Sequence, residues 1–435
     1  LARVRLYKIS SLVGAAFLNA RDPPGARKPL TRFTMRRIDL KKAQAARSST
    51  IRDINRQIVL NYVRDREPIS RAEIARETEL QRSTISTIVE ELKTEGLIEE
   101  IGEGESTGGR RPTLLRLRAS GGMAIGVDVT PSCTTIASCD LAGRVLEREE
   151  FPVSATPDQL IELIGESVRR IAQQAGAQPV EGVGISLPGL VEPASGRATY
   201  IPYFKWRDWN VVEQVRRATR LSVVIDNDAN AAALAELWFG RPEVSEARDF
   251  ILVLVADGIG TGIVIDGQIY RGERGAAGEF GHMIVAADGP VACSCGNRDC
   301  WEAHASGRAA VARYAQKAQP REGEQSGVLK LNQLVDRALA GEQHAICALT
   351  ETAHFLGIGI SNLIVGLSPE AVVVGGPIAR AWPLVADALG EPVQRSIRRG
   401  LPLARIVAST LSDQPTLMGA LSLVLARKFA SATAA

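Results

Sequence analysis

The 435-residue chain lacks any apolar run approaching the ~20 residues of a membrane-spanning helix, so no membrane partner is expected. Cysteine is scarce, at six residues, which excludes a disulfide-stapled secreted scaffold. Cys133, Cys139 and Cys347 stand apart from one another and are expected to be buried thiols in a reducing, cytoplasmic compartment. Net charge is almost absent at +3, but its distribution is uneven. Residues 1–120 carry 24 Lys and Arg against 15 Asp and Glu, a balance of +9 that leaves −6 for the remainder. A basic front on an acidic body points to an anionic partner for the front alone.

Hydrophobic residues make up 45% of the chain, an ordinary globular share, and the length leaves room for two or three domains. The segment from Ile9 to Leu18, preceded by Arg3, Arg5 and Lys8, is faintly like a secretory leader, but Ser and Gly interrupt it. Regular patterning begins only after Met35. Residues 1–34 are therefore expected to be an upstream extension with Met35 as the usual start, and residues 1–46 a basic, disordered lead.

From Ile51 a helical stripe (Ile51, Ile54, Ile58, Tyr62) runs towards Pro68. Ser70-Arg71-Ala72-Glu73 is a capping box that opens a short second helix containing Ile74 and Ala75. A third helix places Ile85, Ile88, Val89 and Leu92 on one face and leaves Gln81, Arg82, Ser83, Thr84, Ser86 and Thr87 on the other. That is the form of a recognition helix: Gln81 and Arg82 can bond base edges, Ser83, Thr84 and Thr87 can reach DNA. The alternative is a small helical bundle with a solvated face. Strand-like segments Leu97–Ile101 and Thr113–Leu117 flank a glycine turn ending in Arg110-Arg111-Pro112, which completes a winged helix with Arg110 and Arg111 at the wing tip. Residues 47–119 are assigned to this DNA-binding domain and 120–435 to the body.

In the body, strand and helix patterns alternate. Strands are expected at Ala124–Val129, Thr134–Asp140, Val180–Leu187, Val223–Ile225, from Phe250, at Ile263–Ile265 and at Ala371–Val374. Helices are expected at Pro157–Ala175, through Trp238, from Leu331, at Ala345–Val365 and at Leu417–Phe429. Glycine bends stand at Gly258–Gly262 and Gly375-Gly376.

Within the body, residues 278–302 hold His282, Cys293, Cys295 and Cys300, three thiolates and an imidazole that form a complete tetrahedral zinc set. With four protein ligands such a metal is structural and does not activate water. The surrounding loop is too poor in apolar side chains to hold itself, and a structural zinc supplies of the order of 10 kcal/mol. Held through one ring nitrogen, His282 has the other free for a polar neighbour.

The sequence Glu279-Phe280-Gly281-His282, followed by Cys-x-Cys-Gly-x-x-x-Cys-x-Glu, resembles the signature of the ROK family (repressors, open reading frames, sugar kinases). The likeness runs from about Ile51 to Leu425 and is nearest the repressor branch that includes xylose and N-acetylglucosamine repressors. It implies an α/β fold class: an N-terminal winged helix-turn-helix followed by two ribonuclease-H-like (actin-like ATPase) subdomains around a cleft. It also implies sugar-binding roles for Asn227, Asp228, Glu279, His282 and Glu302, with Asp228 matching the family's catalytic base. Asn227 and Asp228 read equally as a helix cap.

Two departures bear on function. The family's first phosphate motif, Asp-x-Gly-Gly-Thr, here reads Asp128-Val129-Thr130-Pro131-Ser132; both glycines are gone and Pro131 has no N–H. An asparagine usual in the family falls in a segment where Tyr203 stands. The implied function is a sugar-responsive DNA-binding regulator, a repressor with operator DNA and a sugar as partners, structural zinc as its metal, no catalysis, and a homodimeric or homotetrameric state. The alternatives are a ROK-type ATP-dependent sugar kinase with a DNA-binding appendage, and a regulator whose cleft takes another protein.

Overall fold

The computed structural model describes residues 48–105, 111–317, 329–396, 402–411 and 414–429, with the side chains of 48–50 left out. The extension 1–46, the wing-tip glycines and Arg110 lie outside the described residues. Two compact units emerge, one comprising the chain up to Gly121 together with Phe429 and one running Gly122–Lys428.

The first unit holds α1 (Ser48–Arg66), β1 (Ile69–Ser70), α2 (Arg71–Thr78), α3 (Arg82–Thr94), β2 (Ile98–Glu103) and β3 (Thr113–Leu117). Ser70 Oγ accepts the Glu73 N–H at 3.2 Å, and Glu73 Oε2 accepts the Ser70 N–H at 2.9 Å, so the capping box satisfies two otherwise orphaned donors. Glu79, with φ of 57°, breaks the chain between α2 and α3. Ile85, Ile88, Val89 and Leu92 are all buried. On α1 the deepest residues are Val59, Leu60 and Val63, while Ile51 is 43% exposed and Ile54, Ile58 and Tyr62 only half-buried. The expected stripe is thus displaced by about one position, because the face that meets α3 is set by packing. The ion pairs Arg52–Glu91 and Arg56–Glu95 clasp α1 to α3. Strands β2 and β3 pair antiparallel as the wing expects, and β1 adds a short third strand to β3.

The second unit contains two five-stranded sheets of one plan. The first comprises β4 (Met123–Val129), β5 (Thr134–Asp140), β6 (Val145–Phe151), β7 (Val180–Leu187) and, beyond a small sheet of β8 (Leu190–Glu192), β9 (Arg197–Ile201) and β10 (Trp206–Trp209), β11 (Val223–Asn227). Its order is β11-β7-β4-β5-β6. The second comprises β12 (Phe250–Val255), β13 (Ile259–Ile265), β14 (Gln268–Ile269), β15 (Ala371–Gly375) and β16 (Arg405–Ala408), in the order β14-β13-β12-β15-β16. In each, three strands form an antiparallel meander, a fourth joins the first strand in parallel and a fifth joins the fourth in parallel. This is the duplicated ribonuclease-H-like arrangement. It was not visible in β6, whose Val-Leu-Glu-Arg-Glu-Glu-Phe is an exposed edge strand without a buried face.

Helix α4 (Pro157–Gln174) crosses from β6 to β7, α5 (Val211–Thr219) leads into β11, and α6 (Asp228–Phe239) leaves it, followed by the short α7 (Pro242–Ser245). Thr156 caps α4 by accepting the Gln159 N–H, and Leu160, Ile164, Val168 and Ile171 bury its apolar face. Between β14 and β15 come the cysteine loop, α8 (Trp301–Ala305), α9 (Gly307–Lys317), α10 (Leu331–Leu339) and α11 (Gln343–Leu367); α12 (Trp382–Ser396) and α13 (Pro415–Phe429) follow.

Helix α11, expected at Ala345–Val365, is long and apolar enough by length and composition to cross a membrane. Its Leu349, Leu356, Ile360 and Leu363 are core residues. One expectation is corrected here: of the three isolated cysteines only Cys139 is buried; Cys133 lies half-buried in the β4–β5 turn and Cys347 is exposed on α11, off the face that buries Ala345, Ala348 and Leu349.

Register brings function into view. Asp128 on β4 and Asp226 on β11 both sit opposite Ser186 on β7, so three buried polar residues line up at the carboxyl ends of parallel strands. Ligands of open α/β sheets collect at that edge.

Candidate functional site

The cysteine loop begins where Gly278, at φ of 89°, packs its backbone onto Thr261; a Cβ there would lie 2.3 Å from the Thr261 carbonyl oxygen. The short turn Glu279–His282 follows. The ligand atoms of His282, Cys293, Cys295 and Cys300 all lie within 4.8 Å of one another. Cys295 Sγ and Cys300 Sγ are 3.5 Å apart and His282 Nδ1 is 3.2 Å from Cys293 Sγ. Tetrahedral zinc with ~2.3 Å sulfur bonds sets its sulfurs roughly 3.8 Å apart, so the donor set fits that ion. Cys293, Cys295 and Cys300 are all free thiols. The Asn297 amide holds the Cys295 thiol below its usual range, whereas burial raises Cys293 and Cys300.

The loop has few side chains in a core, and its backbone compensates. Val285 N bonds Asp299 O at 3.1 Å, Gly289 N bonds Arg298 O at 2.9 Å, Cys293 N bonds Asn297 O at 2.8 Å and Trp301 N bonds Met283 O at 2.8 Å. At its end Trp301 is fully buried against Gly359 of α11, and its indole N–H donates to Phe355 O at 2.9 Å.

His282 faces both ways. Its Nδ1 is on the cysteine side, and its Nε2 is 3.4 Å from Glu279 Oε2. The bond to Glu279 raises the imidazole's pKa.

Glu302 is buried, 5% exposed, and heavily engaged. Its Oε1 accepts from Ser294 N at 3.2 Å, Arg308 Nη2 at 3.0 Å and the Cys293 thiol at 3.4 Å; its Oε2 accepts from Ile259 N at 3.3 Å. Arg308 also donates to Asp257 O at 3.0 Å and to Ala292 O at 3.4 Å. Together Glu302 and Arg308 stitch the cysteine loop to the glycine bend. Arg308 carries no motif of its own and was missed by the sequence reading.

Asn227 ends β11 and caps α6: its Oδ1 accepts from Ala229 N at 2.9 Å and Asn230 N at 3.2 Å, while its Nδ2 donates to Gly189 O at 3.1 Å. Asp228 sits in the first turn of α6, with Oδ1 accepting from Ala229 N at 2.8 Å. Removal from water, then the charges of Asp128 and Glu279, pushes its carboxyl up to about 7. The buried Asp128 is likewise raised to about 6 by desolvation; Thr416 Oγ1 donates to its Oδ2 at 2.6 Å, and its Oδ1 has no partner among the described residues. Beneath them, buried Asp226 accepts two bonds from Arg271, at 2.9 and 2.6 Å, a pair signalled in sequence only by a charge within an apolar strand.

The first phosphate loop is closed on itself. Thr130 N donates to Cys133 O at 2.9 Å, and Ser132 N and Cys133 N point to Thr130 Oγ1 at 3.4 and 3.1 Å. With Pro131 lacking an N–H, the turn presents no amide row to a phosphate. The second bend is also altered from the sequence expectation, since β13 already begins at Ile259.

In the first unit, Gln81 is the N-cap residue of α3 with no side-chain cap bond; Gln81, Arg82, Ser83 and Thr87 are exposed and Thr84 is half-buried. Thr87 Oγ1 bonds back to Ser83 O at 3.1 Å. Arg111 is exposed beside the wing.

Residues 124–427 match the ROK family profile, and residues 58–111 that of the MarR family. The xylose repressor of Caldicellulosiruptor bescii is 32% identical over 388 residues, 86% of this chain and 96% of that one. A solved ROK family transcriptional regulator, a homologue of the E. coli MLC protein, superposes with a TM-score of 0.72 at 26% identity, covering 87% of this chain and 97% of that one. A ROK family glucokinase from Streptomyces griseus, solved with glucose and AMPPNP, gives a TM-score of 0.62 at 30% identity, covering 69% of this chain and 99% of that one.

Proposed function

The chain belongs to the ROK family, and from that premise we propose that it is a sugar-responsive transcriptional repressor: the winged helix of residues 47–119 binds an operator, and the cleft of residues 120–435 binds a small sugar that shifts the affinity for DNA. One observation carries the choice of regulator over kinase. The amides of Thr130, Ser132 and Cys133 are consumed within their own turn, so the phosphate cradle is lost while the sugar side keeps Asn227, Asp228, Glu279 and His282.

In this reading His282, Cys293, Cys295 and Cys300 hold a structural zinc, which when bound supplies only cross-linking. Asp228, Glu279 and the Nε2 edge of His282 offer acceptors and a donor to sugar hydroxyls, Asn227 keeps its neighbour in place, and Glu302 contributes chiefly by holding the bend against the loop. On the DNA side Arg82 and Gln81 read bases, Ser83, Thr84 and Thr87 meet the backbone, and Arg110 and Arg111 add further DNA contacts. Paired half-sites call for a homodimer or homotetramer, in the cytoplasm.

A gel-shift titration against a panel of monosaccharides tests the proposal. One sugar should change operator affinity, and Glu279→Ala should abolish the change while operator binding persists; indifference to every sugar would remove the sensing role. The second reading, a sugar kinase with a DNA-binding appendage, draws support from the carboxyl of Asp228, poised near neutrality as a general base. Its mark would be ATP turnover on a hexose, lost in Asp228→Asn.

A further inference from the structure

The four ligand residues of the cysteine loop fall into two unlike pairs. On the inner side Cys293, 4% exposed, has its sulfur 3.2 Å from His282 Nδ1 and donates to Glu302 Oε1 at 3.4 Å. On the outer side the sulfur of Cys295 lies 3.5 Å from that of Cys300. Cys300 is the N-cap residue of α8 and is buried, whereas Cys295 is exposed. The turn that carries Cys295 is closed by Cys293 N to Asn297 O at 2.8 Å and Gly296 N to Cys293 O at 2.9 Å. At its tip Gly296, with φ of 92°, has open space where a Cβ would stand.

Resting on the zinc reading above, we infer that Cys295 and Cys300 are also an oxidation site, which hydrogen peroxide converts to a disulfide with loss of the metal. A disulfide sets its sulfurs about 2.05 Å apart, so the outer pair must close by about 1.5 Å from the 3.5 Å found, and the open turn leaves room for it. Cys293 is the poorer partner, because its sulfur is turned to His282 and Glu302. A metal-bound cysteine is held as the reactive thiolate. Exposure then selects Cys295, with Cys300 beside it to resolve the product. The Cys295 sulfur attacks one peroxide oxygen, the O–O bond breaks, and hydroxide leaves, making Cys295 a sulfenic acid. The Cys300 sulfur attacks that of Cys295; the S–S bond forms, the S–O bond breaks and a second hydroxide leaves. Two electrons pass from the thiolates to peroxide, and two protons from solvent turn the hydroxides into water. With two of four ligands spent, the site gives up its zinc, and His282 loses the partner that orients it.

The test treats the full-length, zinc-loaded chain with stoichiometric hydrogen peroxide in the absence of added thiols. Released zinc is followed with a chromogenic chelator, and disulfides are mapped by peptide mass spectrometry. About one zinc should leave each chain as a Cys295–Cys300 disulfide forms, and dithiothreitol with added zinc should restore the metal. Cys347→Ser, which removes the exposed thiol of α11, should release zinc to the same extent. Zinc retained after peroxide, or any mapped product other than the Cys295–Cys300 disulfide, overturns the inference and leaves the zinc reading standing. A chain that holds no zinc before peroxide overturns the zinc reading and the metal release together, and mapping still decides the disulfide.

Discussion

His282 Nε2 lies 3.4 Å from Glu279 Oε2 while the opposite ring nitrogen lies 3.2 Å from Cys293 Sγ. One imidazole thus joins the cysteine cluster to Glu279. Whatever fixes its cysteine-side nitrogen also fixes the edge that meets Glu279, and metal-bound histidines are oriented in this way by their partners.

Cys295→Ala should therefore lose both metal and ligand. Metal analysis should fall from about one zinc per chain to none. Because a structural zinc supplies of the order of 10 kcal/mol to its loop, the melting temperature should drop and sugar affinity weaken. Full metal occupancy in the variant would exclude Cys295 as a ligand.

Arg271→Ala leaves Asp226, 1% exposed, as a buried and uncompensated carboxylate. Breaking such a pair costs about 3 kcal/mol. Urea unfolding should show the loss, and Asp226→Asn in the same background should recover part of it. Simple additivity of the two single substitutions would deny the coupling.

Asp228 and Asp128 titrate near 7 and near 6 in the folded chain, above the ordinary aspartate value of 3.8. The folded state therefore holds protons that the unfolded state has released between those values. These groups favour folding fully below about pH 4, and that contribution is lost as pH rises through 6 and 7. Melts at pH 5.5 and pH 8 should show the difference shrinking in Asp228→Asn, whose side chain carries no titrating proton. An identical pH dependence in both proteins would contradict the assignment.

Arg82→Ala should weaken operator binding by about 1–3 kcal/mol if the guanidinium reads a base, with zinc content and melting temperature unchanged. Fluorescence anisotropy on labelled operator measures it. Equal loss on unrelated DNA would instead place Arg82 on the phosphate backbone.

Much of this is legible in the sequence. The Ser70–Glu73 box, the buried face of α3 and the strand Val180–Leu187 follow from local chemistry, because a cap or an apolar period states its own partner. The four ligand atoms share one sequence segment, so their convergence could be read from spacing. What could not be read depends on pairs far apart in the chain: Arg308 with Asp257, Arg271 with Asp226, Thr416 with Asp128. The edge strand β6 was invisible because it has no inward face, and the α1 stripe was misplaced because its neighbours, not its period, choose which side is covered.

The proposed function joins a metal-pinned loop to a sugar cleft unable to hold a nucleotide's phosphates, with sugar occupancy felt at the operator. Its sharpest test is ADP production from Mg·ATP by the zinc-loaded chain, with the sugar that shifts operator affinity present in the same solution. Operator affinity should change by about 5- to 150-fold with no ADP above the blank. Sustained ADP release that requires the sugar and disappears in Asp228→Asn would contradict it.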